Sequence, residues 1–343
     1  MIGNYKTLTD LAMEVERIEE SKQDYLIPNP AITMFQDENI RVEGEGDFTI
    51  NDYAHGQLAS KLDIPKKYYD SMAVIEGLRT LNVNAWLRSE PNKQSFVRTV
   101  DGKARAFLSD KFRPIDNYDV LSSFLPVVKD MPIEIKACAL SEKKLYMQLL
   151  FPQMEGEVKK GDVIRWGFML TNSEVGAGAV DIKKFYERLI CTNGAIGTSY
   201  MRKNHVGSRI NSDNADIFQS DTVRAELESF KLKFRDIMID AMKPERFEEE
   251  LAKLKGAVDD EIRKPETVVR NVTKRFGLSE KFDEQILGNM IDEKNINRYG
   301  LFNGITALAK SIEDVDKQYE VEKIGGMIIN MTKNEWGKFA VAA

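Results

Sequence analysis

Over residues 7–23 the apolar positions Leu8, Leu11, Val15 and Ile18 recur at helical spacing, and Thr9 or Asp10 stands where a cap is needed. The connector Pro28-Asn29-Pro30 ends that helix, because proline cannot continue one. Between Ile32 and Ile50 the pattern turns to partial alternation, with Ile40, Val42, Phe48 and Ile50 set around Gly44 and Gly46, and it predicts a hairpin. A short helix over 51–64 stops before Ile64-Pro65, and a second runs from Lys66 to Asn82. Ser95 to Leu108 then reads as two β-rich arms around Asp101-Gly102, the strongest short hairpin signal in the chain. Alternation puts Phe96, Arg98 and Val100 on one face of the first arm and Lys103, Arg105 and Phe107 on one face of the second.

A helix over Asn117–Lys129 follows Pro114, and Ile133–Leu140, Lys144–Phe151 and Val163–Thr171 read as further strands. Gly176, Gly178, Gly194 and Gly197 punctuate the next segment. From Asp221 the texture is helical: Leu227, Phe230, Phe234, Ile237 and Met238 form an amphipathic stripe, which Pro244 interrupts and Phe247, Leu251 and Leu254 resume. That stripe packs either within the subunit or against a neighbouring copy. Helices, a strand-rich middle and then helices predict an α+β fold, an antiparallel sheet core with flanking helices and a C-terminal helical region. The expected divisions are an N-terminal helical segment over 1–31, an α+β core over 32–215, and a helical arm with the C-terminal helical region over 216–343.

Composition narrows the classes. The 343 residues are 42% hydrophobic and 30% charged, enough for a real core, which excludes a disordered chain. No run of roughly 18 apolar residues occurs, so no membrane span is expected. Met1-Ile2-Gly3-Asn4-Tyr5-Lys6 lacks the basic-then-apolar pattern of a secretory leader. Cys138 and Cys191 cannot build a disulfide framework, so a cytoplasmic protein is expected. The formal net charge of −6 excludes a globally basic nucleic-acid coat and leaves a local basic face open.

Candidate chemistry is sparse. Gly176-Ala177-Gly178 lacks the third glycine of a dinucleotide fingerprint, and no P-loop is present. His55, His205 and the two cysteines show no ligand spacing, so neither a metal nor a cofactor is expected. Asp116 with Glu134-Ile135-Lys136 has the acid and Glu-x-Lys spacing of a Mg²⁺ nuclease, a short pattern common in a charged protein. Basic segments say more. Between Arg88 and Arg113 seven basic residues, among them Arg98, Lys103, Arg105, Lys111 and Arg113, stand against three acidic ones. Trp86, Phe96, Phe107 and Phe112 lie beside or among them. Between Lys183 and Arg209 there are six, Lys183, Lys184, Arg188, Arg202, Lys203 and Arg209, against Glu187 alone, with Tyr200 among them. Cations that track phosphates, beside rings that stack on bases, are what single-stranded nucleic acid requires.

Phe96-Val97-Arg98-Thr99 and the run Arg105-Ala106-Phe107-Leu108-Ser109-Asp110-Lys111-Phe112-Arg113-Pro114-Ile115-Asp116-Asn117 resemble the phage/plasmid-like protein family long catalogued as a domain of unknown function. Thr171-Asn172-Ser173-Glu174, Arg188-Leu189-Ile190-Cys191-Thr192-Asn193-Gly194 and Tyr299-Gly300-Leu301-Phe302-Asn303-Gly304-Ile305-Thr306 are similar in the same way. The resemblance implies a setting in prophages and plasmid leading regions, where DNA is transiently single-stranded, and supplies no mechanism. The expectation is a non-enzymatic single-stranded DNA-binding or annealing protein, working as a homo-oligomer in the host cytoplasm in replication or recombination. The alternatives are an anti-defence or regulatory protein that binds a host protein through the helical arm, and a Mg²⁺-dependent nuclease.

Overall fold

Asp101 and Gly102 both adopt left-handed backbone, with φ of 51° and 72°, and Val100 pairs with Lys103 across them. This is the tight hairpin that the Asp-Gly signal predicts, since its twist matches that of the strands. The arms are β6 (Gln94–Val100) and β7 (Lys103–Ser109). They lie inside a six-stranded sheet with β2 (Lys22–Pro28), β3 (Ile32–Phe35), β4 (Asn39–Val42) and β5 (Gly46–Ile50), in the order β2-β6-β7-β5-β4-β3. Among the described residues of this sheet, only β5 and β7 pair in parallel. The expected hairpin over 32–50 is thus a three-stranded meander.

The computed structural model describes residues 3–36, 38–129, 131–190, 193–205 and 220–341. Helices α2 (Asp52–Lys61), α3 (Lys66–Met72) and α4 (Leu78–Ser89) pack on this sheet around Ile32, Ile40, Leu58, Tyr69, Val83 and Val97. The single helix expected over 66–82 is two, separated at Gly77.

A second six-stranded sheet is antiparallel throughout. It comprises β1 (Gly3–Tyr5), β8 (Glu134–Leu140), β9 (Leu145–Lys159), β10 (Asp162–Asn172), β11 (Val180–Arg188) and β12 (Asn193–Lys203), in that spatial order. Strands β11 and β12 fall in the glycine-punctuated stretch where the sequence shows no clean alternation. One face of this sheet, carrying Met147, Leu149, Trp166, Phe168 and Ile182, is covered by α1 (Leu8–Ser21), α5 (Asn117–Val128), α6 (Ser220–Ala241) and α7 (Pro244–Val258). Helix α1 is capped by Thr7, whose hydroxyl accepts from the Asp10 amide, and not by Thr9 or Asp10. Of the stripe, Phe230, Phe234 and Met238 are buried in this same core and Ile237 packs against it, so these residues pack within the subunit. The Leu227 side chain lies outside the described residues. Because β1 and β2 each join a sheet, residues before 32 are woven into both layers.

Beyond α7 lie α8 (Pro265–Phe276), α9 (Lys281–Asp292), α10 (Arg298–Leu308), α11 (Val315–Asn330) and α12 (Lys333–Val341), with a core of Val268, Val272, Ile286, Leu301, Ile305 and Ile328. Helix α11 closes the other face of the second sheet: Tyr319 packs among Tyr146, Leu150, Met169, Phe185 and Ile196. At Gly326 the helix comes so near β12 that an added Cβ would stand 1.8 Å from the Ile196 carbonyl oxygen. The fold is α+β, with antiparallel sheets and a helical C-terminal region. Among the described residues no helix is long and apolar enough to cross a membrane.

Candidate nucleic-acid interface

The first basic segment supplies much less surface than its charge suggests. Arg98 is 0% exposed. Its Nε and Nη2 donate to the two Asp24 oxygens at 2.8 and 2.6 Å, and its Nη1 donates to Asp116 at 2.6 Å and to the Glu174 carbonyl at 3.2 Å. Lys22 pairs with the other Asp116 oxygen. Burial alone would raise the Asp116 carboxyl, but the Arg98 and Lys22 cations outweigh it and hold that carboxyl below its ordinary range. Arg105 is buried as well; it donates to the Glu142 carbonyl at 3.3 Å and lies 4.0 Å from Glu174. Glu174 accepts from the Asn117 amide at 2.7 Å, and Asn172 donates to Asn117. Three of the sequence blocks therefore meet in one buried ion network between the sheets.

That geometry corrects the expected phosphate contacts at Arg98 and Arg105, whose guanidiniums face protein acceptors inside the fold. Lys103, Lys111 and Arg113 are exposed, and Arg113 donates to the Asp110 and Phe112 carbonyls. Phe107 and Phe112 are buried and cannot stack on bases; Phe112 lies against Phe96 at 5.7 Å and stacks on His205 at 5.5 Å. Phe96 is half-buried, and Trp86, 49% exposed, stands apart on α4. His205 accepts from the Ile115 amide through Nδ1, and burial brings its pKa down to about 4. The nuclease trio does not converge: Asp116 holds Arg98, Glu134 pairs with Arg165, and Lys136 pairs with Glu187.

The second segment is divided by strand alternation. Lys183 and Lys184 are neighbours on β11 and so point to opposite faces. Lys184 meets Glu250 of α7, beside the Tyr186 hydroxyl that donates to the same carboxylate. Arg188 is buried, with Nε and Nη2 on Asp162 at 2.7 and 2.8 Å and Nη1 on Glu293 at 2.6 Å. These pairings correct Lys184 and Arg188 as surface contacts. Tyr200 is half-buried against the edge of Trp166, with Lys184 over its ring, and Lys203 lies 5.7 Å from the Phe230 ring centre. Arg209 lies outside the described residues.

Lys183 and Arg202 have a different environment. They line a groove of about 990 Å³ between β12 and helices α8, α11 and α12. Lys274 and Arg275 enter it from the last turn of α8, Lys323 from α11 and Lys338 from α12. Six cations thus surround it against two carboxylates, Asp181 and Glu335. Lys274 and Lys338 make no ion pair among the described residues, whereas Lys183 lies 3.2 Å from Asp181 and Lys323 3.0 Å from Glu320. Ile196, Phe276, Met327 and Phe339 supply apolar lining, and Met327 is 42% exposed. The Arg275 guanidinium lies over the Phe276 and Phe339 rings at 5.8 and 5.5 Å.

Four of these cations escape a reading of the sequence because they come from three distant segments, each diluted by acidic neighbours. The one local signal was Lys274-Arg275-Phe276, two cations and a ring at a helix end. No protein-family model, no curated protein and no solved structure matches this chain.

Proposed function

We propose that the protein binds single-stranded nucleic acid in the groove between β12 and the C-terminal helices. The observation that carries this reading is the convergence of Lys183, Arg202, Lys274, Arg275, Lys323 and Lys338 on one open groove of a chain whose net charge is −6. In an acidic molecule such a concentration focuses the field locally, so a polyanion is drawn to this groove and repelled elsewhere. The half-buried Phe276 ring and the exposed Met327 side chain offer apolar faces against which unpaired bases pack, as strand-binding grooves require. The resemblance of the sequence blocks to phage and plasmid proteins supports a role for such binding in replication or recombination of a mobile element, annealing included.

Binding of a host protein through the helical arm has less to support it, because the apolar stripe of α6 faces its own core. Anisotropy of a dye-labelled oligothymidylate of about 15 nucleotides, titrated between roughly 50 and 200 mM salt, tests the groove. The wild type should bind with steep salt dependence. Replacing Lys274, Arg275 and Lys338 together by Ala should flatten the log–log slope by about 0.7 per lost phosphate contact. Equal affinity and slope for the two proteins would remove the groove from consideration.

A further inference from the structure

The groove contains one group that phosphate binding does not explain. Asp181 lines it, yet is only 5% exposed, and its Oδ1 has no hydrogen-bond partner among the described residues. Its Oδ2 lies 3.2 Å from the Lys183 Nζ, and Lys183 also reaches the Tyr319 hydroxyl. The cross-strand neighbour of Asp181 is Arg202, a second groove cation. A buried carboxylate oxygen without a donor is unfavourable, and in a site for polyanions a carboxylate is doubly so unless the ligand brings the missing donor.

On the reading that this groove holds single-stranded nucleic acid, we propose that Asp181, paired with Lys183, reads the Watson–Crick edge of a base turned into the groove and favours guanine. A carboxylate only accepts, and an ammonium only donates. Guanine alone carries two adjacent donors, N1–H and the N2 amino group, next to an acceptor, O6. The Asp181 carboxylate accepts from both donors, and the Lys183 ammonium donates a hydrogen bond to O6. Thymine is the poorest fit, because its single N3–H donor is flanked by two carbonyl oxygens that the carboxylate repels. Unpaired bases are recognised on just this edge, since nothing else occupies it.

The test compares three oligonucleotides of about 15 nucleotides: oligothymidylate, the same strand with one central guanine, and the same strand with inosine there, all by anisotropy. The wild type should bind the guanine strand about tenfold more tightly than oligothymidylate, with inosine between them because it lacks the N2 amino group. Asp181→Asn should abolish the preference and leave oligothymidylate binding at least as tight, because one negative charge has gone from the groove. Equal wild-type binding of the guanine and thymine strands, or an undiminished preference in Asp181→Asn, overturns the inference while the salt-dependent groove stands. If no strand binds at all, the groove reading falls, and base reading falls with it. The inosine arm needs no variant, so poor folding of Asp181→Asn would not shelter the idea.

Discussion

The Arg98 guanidinium donates to the Asp116 carboxylate at 2.6 Å, at the point where the two sheets meet. Arg98 belongs to β6 of one sheet, Asp116 caps α5, and the same Nη1 reaches the carbonyl of Glu174, which follows β10 of the other. A cation that looks from the sequence like a phosphate ligand is the tie between two layers.

Removing it should therefore cost stability before it costs binding. Arg98→Ala leaves Asp24 without its buried partner and Asp116 with Lys22 alone, a loss of about 3 kcal/mol. Urea denaturation should show it. The salt slope of oligonucleotide binding by the remaining folded protein should match that of the wild type. A stable Arg98→Ala variant with a shallower slope would return this residue to the surface role.

Glu322 on α11 gives a pH signature. Burial raises its carboxyl to about 7, only partly offset by Lys136 and by hydrogen bonds from side chains such as Gln148. In the unfolded chain it titrates near the ordinary glutamate value of about 4.3. Between those values the folded state keeps a proton that the unfolded state has released, so stability falls as pH rises through the window and levels off above it. Across the whole window the effect is about 4 kcal/mol at most. Glu322→Gln should lack this component, so the stability difference, variant minus wild type, should grow from pH ~4.5 to ~7. A flat difference would mean that the carboxyl is not held protonated.

Phe276 separates stacking from charge. Phe276→Ala should weaken strand binding by about 1–3 kcal/mol per base that it supports. The salt slope should stay unchanged, because an aromatic ring releases no counterions. Anisotropy titrations at several salt concentrations report both quantities, and a change in slope with no loss at low salt would contradict the assignment.

Gly326 fixes how close α11 lies to β12. Gly326→Ala would force its methyl group onto the Ile196 carbonyl, where a Cβ would lie at 1.8 Å. Backbone must shift, at about 1–3 kcal/mol. Because Gly326 also lines the groove, strand affinity should fall along with the denaturation midpoint. Wild-type stability would show that α11 does not pack this tightly.

Local chemistry was enough for the sequence to determine several elements. Asp101-Gly102 specifies its turn because the backbone needs left-handed residues there, and Leu11, Val15 and Ile18 specify a helix face because 3.6-residue spacing brings them together. The α+β class follows from where the period changes. Alternation was too irregular to reveal β11 and β12, whose pairing breaks register between Ile182 and Phe185. The site was decided by tertiary structure alone. Charge counted along the chain cannot distinguish Arg98, neutralised by carboxylates from other elements, from Lys274, which pairs with none among the described residues. Nor can it show that Lys183 and Lys184, adjacent in sequence, face opposite sides of a sheet. A basic groove is a property of residues brought together from β11, β12, α8, α11 and α12, and only tertiary packing brings them together.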